Sequence, residues 1–188
     1  MKATLIDASS AILLFKAGLF ETMAAAFSVA VTPAVFQEVT VTGHDGADGF
    51  KGALARRQIR MAAFGPPPET EPKLAALGAG ERETIIAFQQ GVADFVIMDD
   101  RKGALFCRER RIPYINALLC PSVLLMAGYL DQAMHSAAFA RLLHLGRYSR
   151  AVIAFASGCD EEDLACFIPV RKHSPRIEAI ANSHLLNN

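Results

Sequence analysis

Acidic residues recur where an apolar run gives way to a helical pattern. Asp7 closes the first apolar run in LIDASS, Glu38 lies in TPAVFQEV, Glu81 and Glu83 open the helical GAGERETIIAF, and Asp99 and Asp100 end VIMDD. In a parallel sheet the carboxyl ends of all strands share one edge, where such folds bind ligands, so Asp7, Asp99 and Asp100 should converge there. Carboxylates gathered at one place repel each other unless a proton or a cation neutralises them. Oxygen ligands suit Mg²⁺ or Mn²⁺, hard cations that keep waters and bridge to phosphates, so metal-assisted phosphodiester hydrolysis is the chemistry to expect. Each acid also has a plainer role open to it. Asp7 and Asp100 directly precede helical patterns and can serve as N-caps, Glu81 and Glu83 can complement a helix macrodipole, and Glu38 can sit on a solvated face.

A nucleic-acid partner needs cations. Arg101, Lys102, Arg108, Arg110 and Arg111 cluster just after the acidic pair, and Arg56, Arg57 and Arg60 make a second group. Few aromatics interleave with these clusters, so no stacking platform for single strands is legible. Other chemistries find less support. The histidines show no close ligand spacing, and Cys159 and Cys166 lack a second pair, so structural zinc is not expected. No GxSxG, GxGxxG or GxxxxGK[ST] occurs, which removes the hydrolase elbow, the dinucleotide fold and the P-loop.

The elements that must position these residues follow from the apolar pattern. Ala3–Ile6, 29–31, 95–98 and 112–116 read as strands, each followed by a helical pattern over 8–16, 34–39, 102–111 and 117–129, with a further helix over 131–145. This alternation predicts an α/β fold with a mainly parallel central sheet covered by helices. The proline-rich GPPPETEP at 65–72 reads as a surface loop, and Gly128 and Gly146 as helix stops. Within 188 residues and 52% hydrophobic content there is room for one sizeable core. We divide the chain into a principal domain, 1–147, and a C-terminal helical or irregular appendage, 148–188, with Arg171, Lys172, His173 and Arg176 in a mixed tail. Nineteen basic and nineteen acidic residues balance, so no global field draws the chain to nucleic acid or to a membrane. Scattered cysteines, no leader-like N-terminus and apolar stretches broken by Pro121 and Gly128 are the signs of a reduced, cytoplasmic protein without a membrane partner.

Taken together these motifs resemble the PIN domains, metal-dependent nucleases built as a three-layer α/β/α sandwich with an acidic active site. The resemblance covers about 1–145. LIDASSAILLF resembles the opening strand with its first acid, Asp7, and a neighbouring hydroxyl, Ser9, as a candidate second contact to metal water or acid. VTPAVFQEV resembles the helix carrying the second acid, Glu38; LGAGERETIIAF and DFVIMDDRKGALFCRERRIP resemble the third and fourth motifs. A subgroup with Gly-Glu and Ile-Asp-Asp motifs is the nearest pattern. The general family pattern implies Asp7, Glu38, Glu83 and Asp100 as catalytic acids, and the subgroup adds Glu81 and Asp99 to the metal ligands. Two residues apart, Glu81 and Glu83 lie about 200° apart around a helix and should not face one cleft equally. On a strand Asp99 and Asp100 should point differently. The resemblance implies a Mg²⁺- or Mn²⁺-dependent ribonuclease with Arg101, Lys102 and Arg108 toward RNA, acting also as the toxin of a toxin–antitoxin pair. Its partners would be RNA, a small antitoxin-like protein and a second copy in a homodimer. One departure stands out: Ala117 lies where the subgroup carries a hydroxyl. The alternative reading, a catalytically silent PIN-like module acting in protein–protein interaction, takes its motive from that loss.

Overall fold

The computed structural model describes residues 1–42, 46–66 and 71–169. Strands β1 (Ala3–Ile6), β2 (Ser28–Val31), β3 (Arg60–Met61), β4 (Phe95–Ile97) and β5 (Tyr114–Ile115) form one sheet in the order β3-β2-β1-β4-β5. Every pairing is parallel. The three inner strands are apolar because both faces are covered, as parallel sheets require. Alternation along them splits the core in two. Ile6, Val29, Val31, Phe95, Ile97 and Ile115 face one layer, and Leu5, Ala30, Val96 and Met98 the other.

The first layer holds α1 (Ala8–Lys16), α2 (Phe20–Ala26), α3 (Pro33–Val39), α4 (Ala47–Ala55), α8 (Cys120–Met126), α9 (Gln132–Leu145), α10 (Arg150–Gly158) and α11 (Glu161–Leu164); the second holds α5 (Pro72–Ala75), α6 (Ala79–Gln89) and α7 (Arg101–Glu109). The three-layer α/β/α sandwich expected from the sequence is therefore the observed one. Helix starts follow local chemistry. Thr32 caps α3 with Pro33 at its first position, Asp131 caps α9, Ser149 caps α10, and Asp160 with Asp163 forms a capping box on α11.

Several elements differ from the sequence pattern. Helices α2 and α4 and edge strand β3 went unrecognised, the helix expected over 117–129 divides into a 3₁₀ turn (Ala117–Leu119) and α8, and the fourth strand keeps only Tyr114 and Ile115. Pro72 opens α5 and is not loop, since a proline at a helix's first position loses no needed donor; residues 67–70 of the proline-rich segment lie outside the described residues, as do Arg171, Lys172, His173 and Arg176. The chain beyond 148 contributes to the first-layer core: Ala156, Leu164 and Phe167 are buried there, and the Phe167 ring meets Phe95 edge-on at 5.3 Å. Among the described residues no single helix is long and apolar enough to cross a membrane.

Candidate functional site

The sheet order reverses at β1: the chain moves from β1 to β2 on one side, and later returns to place β4 on the other. Ligand crevices of open α/β sheets lie at such a switch point. Because Ile6 pairs with Ile97, the residues that follow, Asp7 and the Met98–Asp99–Asp100 turn, emerge side by side.

Asp7 is fully buried. Its Oδ1 accepts the Ser10 N–H at 2.7 Å, capping α1, and its Oδ2 accepts the N–H groups of Asp99 and Asp100 at 3.2 Å each. One carboxylate thus starts a helix and pins the turn after β4, whose Asp99 and Asp100 lie more than ninety positions away. Burial pushes the Asp7 carboxyl up to about 7; the nearby Asp99 charge adds to this, and the hydrogen bonds from Ser10 and Asp100 oppose it. Asp99 is also raised by burial, while the Ala117 N–H and the Ser10 hydroxyl pull it back. Its Oδ2 accepts both at 2.8 Å. Ser10 therefore clamps the pair, its N–H on Asp7 and its O–H on Asp99.

The remaining acids are placed differently. Asp100 uses Oδ1 to cap α7, accepting from Lys102 N–H at 2.8 Å and Gly103 N–H at 3.0 Å. Asp99 and Asp100 do part, Asp99 toward Ser10 and the 3₁₀ turn and Asp100 onto its helix, but both lie beyond the end of β4 at Ile97, so the helix cap and not strand alternation separates them. Glu83 crosses from α6 to accept the Ala34 N–H at 2.9 Å, the first free donor of α3 after Pro33. Glu38, near the other end of α3, is raised by partial desolvation and then by the charge of Glu81. The helices approach closely here: a Cβ on Gly80 would lie 3.4 Å from Glu38 Oε2 and 3.3 Å from Val35. Glu81 and Glu83 therefore engage opposite ends of α3.

Two acidic groups result, Asp7–Asp99 with Asp100 beside them, and Glu38–Glu81. Among the described residues no three His, Cys, Asp or Glu side chains come together closely enough to hold a metal. A single converged cluster of all six acids is not what the fold forms. The donor chemistry still fits a hard cation, because Mg²⁺ keeps several waters and takes only one or two protein carboxylates. Two carboxyls biased toward protonation by burial, Asp7 also by the charge of Asp99, are the kind that a divalent cation would discharge.

Other positions need correction. The hydroxyl that reaches an acid belongs to Ser10; Ser9 is exposed, because the third helical residue, not the second, turns back to the cap. Arg101 and Arg108, seven residues apart on one face of α7, border a cavity of about 440 Å³ beside Asp99, whereas Lys102 faces a different groove with Lys73 and Glu109. The hydroxyl absent at Ala117 is not missed by Asp99, which takes the Ala117 backbone N–H. Asn116 caps the 3₁₀ turn that presents that N–H, donating no charge and accepting from Leu119 N–H. Sequence reasoning overlooked Ser10, Arg147 and Tyr148. Ser10 had a signal, its position three residues after an N-capping Asp; Arg147 and Tyr148 had none, since only the packing of the α9–α10 turn brings them to Asp99. Tyr148 faces the Asp99 carboxyl; burial, then that charge, raises its phenol, and its buried hydroxyl completes no well-aligned hydrogen bond.

A family model described as a PIN domain matches residues 3–152. No curated protein and no solved structure matches the chain.

Proposed function

Because the chain belongs to the PIN-domain family, whose members are in general nucleases, we propose that it is a Mg²⁺- or Mn²⁺-dependent endoribonuclease acting on single-stranded RNA. The observation that carries this reading is the Ser10 clamp on two carboxyls, the buried Asp7 and the half-buried Asp99, at the β1/β4 switch point. Asp99 and Asp100 would supply one or two carboxylates to a metal that keeps its other waters, with Asp7 positioning them; Glu38 and Glu81 in the separate acidic group, and Glu83 on the Ala34 N–H, would act on such a metal only through water. A bound divalent ion there would supply an activated water and neutralise charge on a phosphate oxygen.

The chain's own residues have separate duties. Asp7 fixes the geometry of the crevice through its three backbone donors, and Ser10 with Ala117 N–H orients Asp99. Among the described residues Asp100 takes hydrogen bonds only at Oδ1, which holds the helix, so Oδ2 can bind while Oδ1 caps. Arg101 and Arg108 would hold a phosphate chain beside the acids. Cleavage of a fluorogenic single-stranded RNA with Mg²⁺ or Mn²⁺ tests the proposal: Asp99→Asn and Asp100→Asn should each abolish it, and equal cleavage by wild type and both variants would mean a contaminating nuclease. We further propose that the protein acts in the cytoplasm as a toxin silenced by a small antitoxin-like partner, and as a homodimer; growth arrest on expression, relieved by co-expressing a small neighbouring reading frame, is the expected result.

A second reading has its own observation. Asp7, Asp100 and Glu83 all serve as backbone acceptors at helix starts, which a catalytically silent interaction module would also need. Calorimetric titration with Mg²⁺ or Mn²⁺ separates the two, since only the nuclease reading expects binding that Asp99→Asn removes.

A further inference from the structure

The cavity beside Asp99 is bordered by three guanidiniums, Arg101 and Arg108 from α7 and Arg147 from the α9–α10 turn. None makes an ion pair or side-chain hydrogen bond among the described residues, whereas Arg56, Arg60, Arg82, Arg110 and Arg141 are all tied to oxygen acceptors. Among the described residues Asp99 is the one carboxylate on the cavity wall, and its Oδ2 already faces two donors. The excess of cation is therefore open to an anion from solvent.

The remaining wall is built for more than a bare anion. Tyr114 and Tyr148 line it. Tyr148 is held by close packing on its own turn: a Cβ on Gly146 would fall 2.3 Å from the Tyr148 ring, so only glycine lets that ring fold back. Its buried hydroxyl faces the Asp99 carboxyl without completing a well-aligned hydrogen bond among the described residues, so a ligand atom can compete for it. The volume, about 440 Å³, lies within the range of small-molecule sites.

We propose that this cavity is a subsite for one nucleotide of the substrate strand, with its phosphate on Arg101, Arg108 and Arg147 and its base against the Tyr114 and Tyr148 side. This rests on the nuclease reading for its role, but not for its binding. A nucleotide can enter only when unstacked, so the subsite selects single-stranded over duplex substrate. Arg147 and Tyr148 become substrate-positioning residues on a segment far from the acidic motifs in sequence.

The test uses the full chain in EDTA, so that no cleavage occurs, with the four nucleoside 5′-monophosphates and inorganic phosphate as probes, followed by calorimetry and by NMR shifts. Saturable nucleotide binding is expected, at least tenfold tighter than inorganic phosphate, and at least tenfold weaker in Arg147→Ala and in Arg108→Ala. Both side chains are exposed, so the variants should melt as wild type does. Lys51→Ala, an exposed side chain on α4, should bind as wild type. Tyr148→Phe should weaken nucleotide binding but leave inorganic phosphate unchanged. Absence of saturable binding, equal affinity for phosphate and nucleotide, or unchanged binding in both arginine variants would overturn the proposal. Nucleotide binding without RNA cleavage in Mn²⁺ would instead sink the nuclease reading and leave the subsite standing.

Discussion

Protonation of Asp7 should leave a measurable imprint on stability. Its carboxyl is fully buried and titrates near 7, against 3.8 for an ordinary aspartate. Between those values the folded chain holds a proton that the unfolded chain has released, so stability must fall as pH rises through this window. The complete shift corresponds to roughly 4 kcal/mol at about 1.4 kcal/mol per pH unit, of which roughly 2–3 kcal/mol lies between about pH 5 and pH 8. The raised carboxyls of Asp99 and Glu38 act with the same sign.

The informative comparison is Asp7→Asn, which cannot ionise. Near pH 5 the wild-type group is the neutral acid, whose hydroxyl oxygen can still accept; the amide has a single acceptor and turns an NH₂ toward either Ser10 N–H or the Asp99 and Asp100 N–H groups. That defect costs about 1–3 kcal/mol, and it is independent of pH. The variant should therefore be clearly less stable than wild type at pH 5, and the gap should close or reverse at pH 8. Urea unfolding in EDTA at the two pH values measures this, and the difference between the proteins cancels every titrating group they share. If both proteins show the same pH dependence, or wild type gains stability from pH 5 to pH 8 relative to the variant, the account of Asp7 is refuted.

Three further outcomes are expected. Ser10→Ala removes the hydroxyl between buried Asp7 and half-buried Asp99 and should cost about 1.5–3 kcal/mol in urea unfolding, while lowering kcat for RNA more than it changes KM. Asp100→Asn should keep the α7 cap and lose cleavage, whereas Asp100→Ala should lose cleavage and also about 1 kcal/mol of stability, a split that thermal melts resolve. Saturating Mg²⁺ should stabilise the protein at pH 8 by about 2.7 kcal/mol when present at roughly a hundred times its Kd, and less at pH 5, where protons compete for the same carboxyls; a melt series with and without EDTA checks it.

The sequence by itself determined the layered architecture, because strand and helix periods are local properties. Three short apolar runs, β1, β2 and β4, can only be buried on both faces, and each is followed by a capping residue and a helical stripe. Asp7 and Asp100 were legible as caps for the same reason, since a cap is read within four residues. Short or half-exposed pieces such as α2, α4 and β3 carry too little periodic signal and owe their form to what they pack against. The candidate site is where tertiary structure decided most. The β1–β4 register, Ile6 on Ile97, brought the Ser10 hydroxyl to Asp99 across 89 residues and sent Glu83 to a helix start on α3 instead of to the other acids. The same packing laid the α9–α10 turn over the crevice, adding Arg147 and Tyr148. Spacing along a chain encodes which way a side chain leaves its own element; which acids, donors and guanidiniums then share one crevice is set by strand pairing and helix packing between segments whose sequences carry no record of one another.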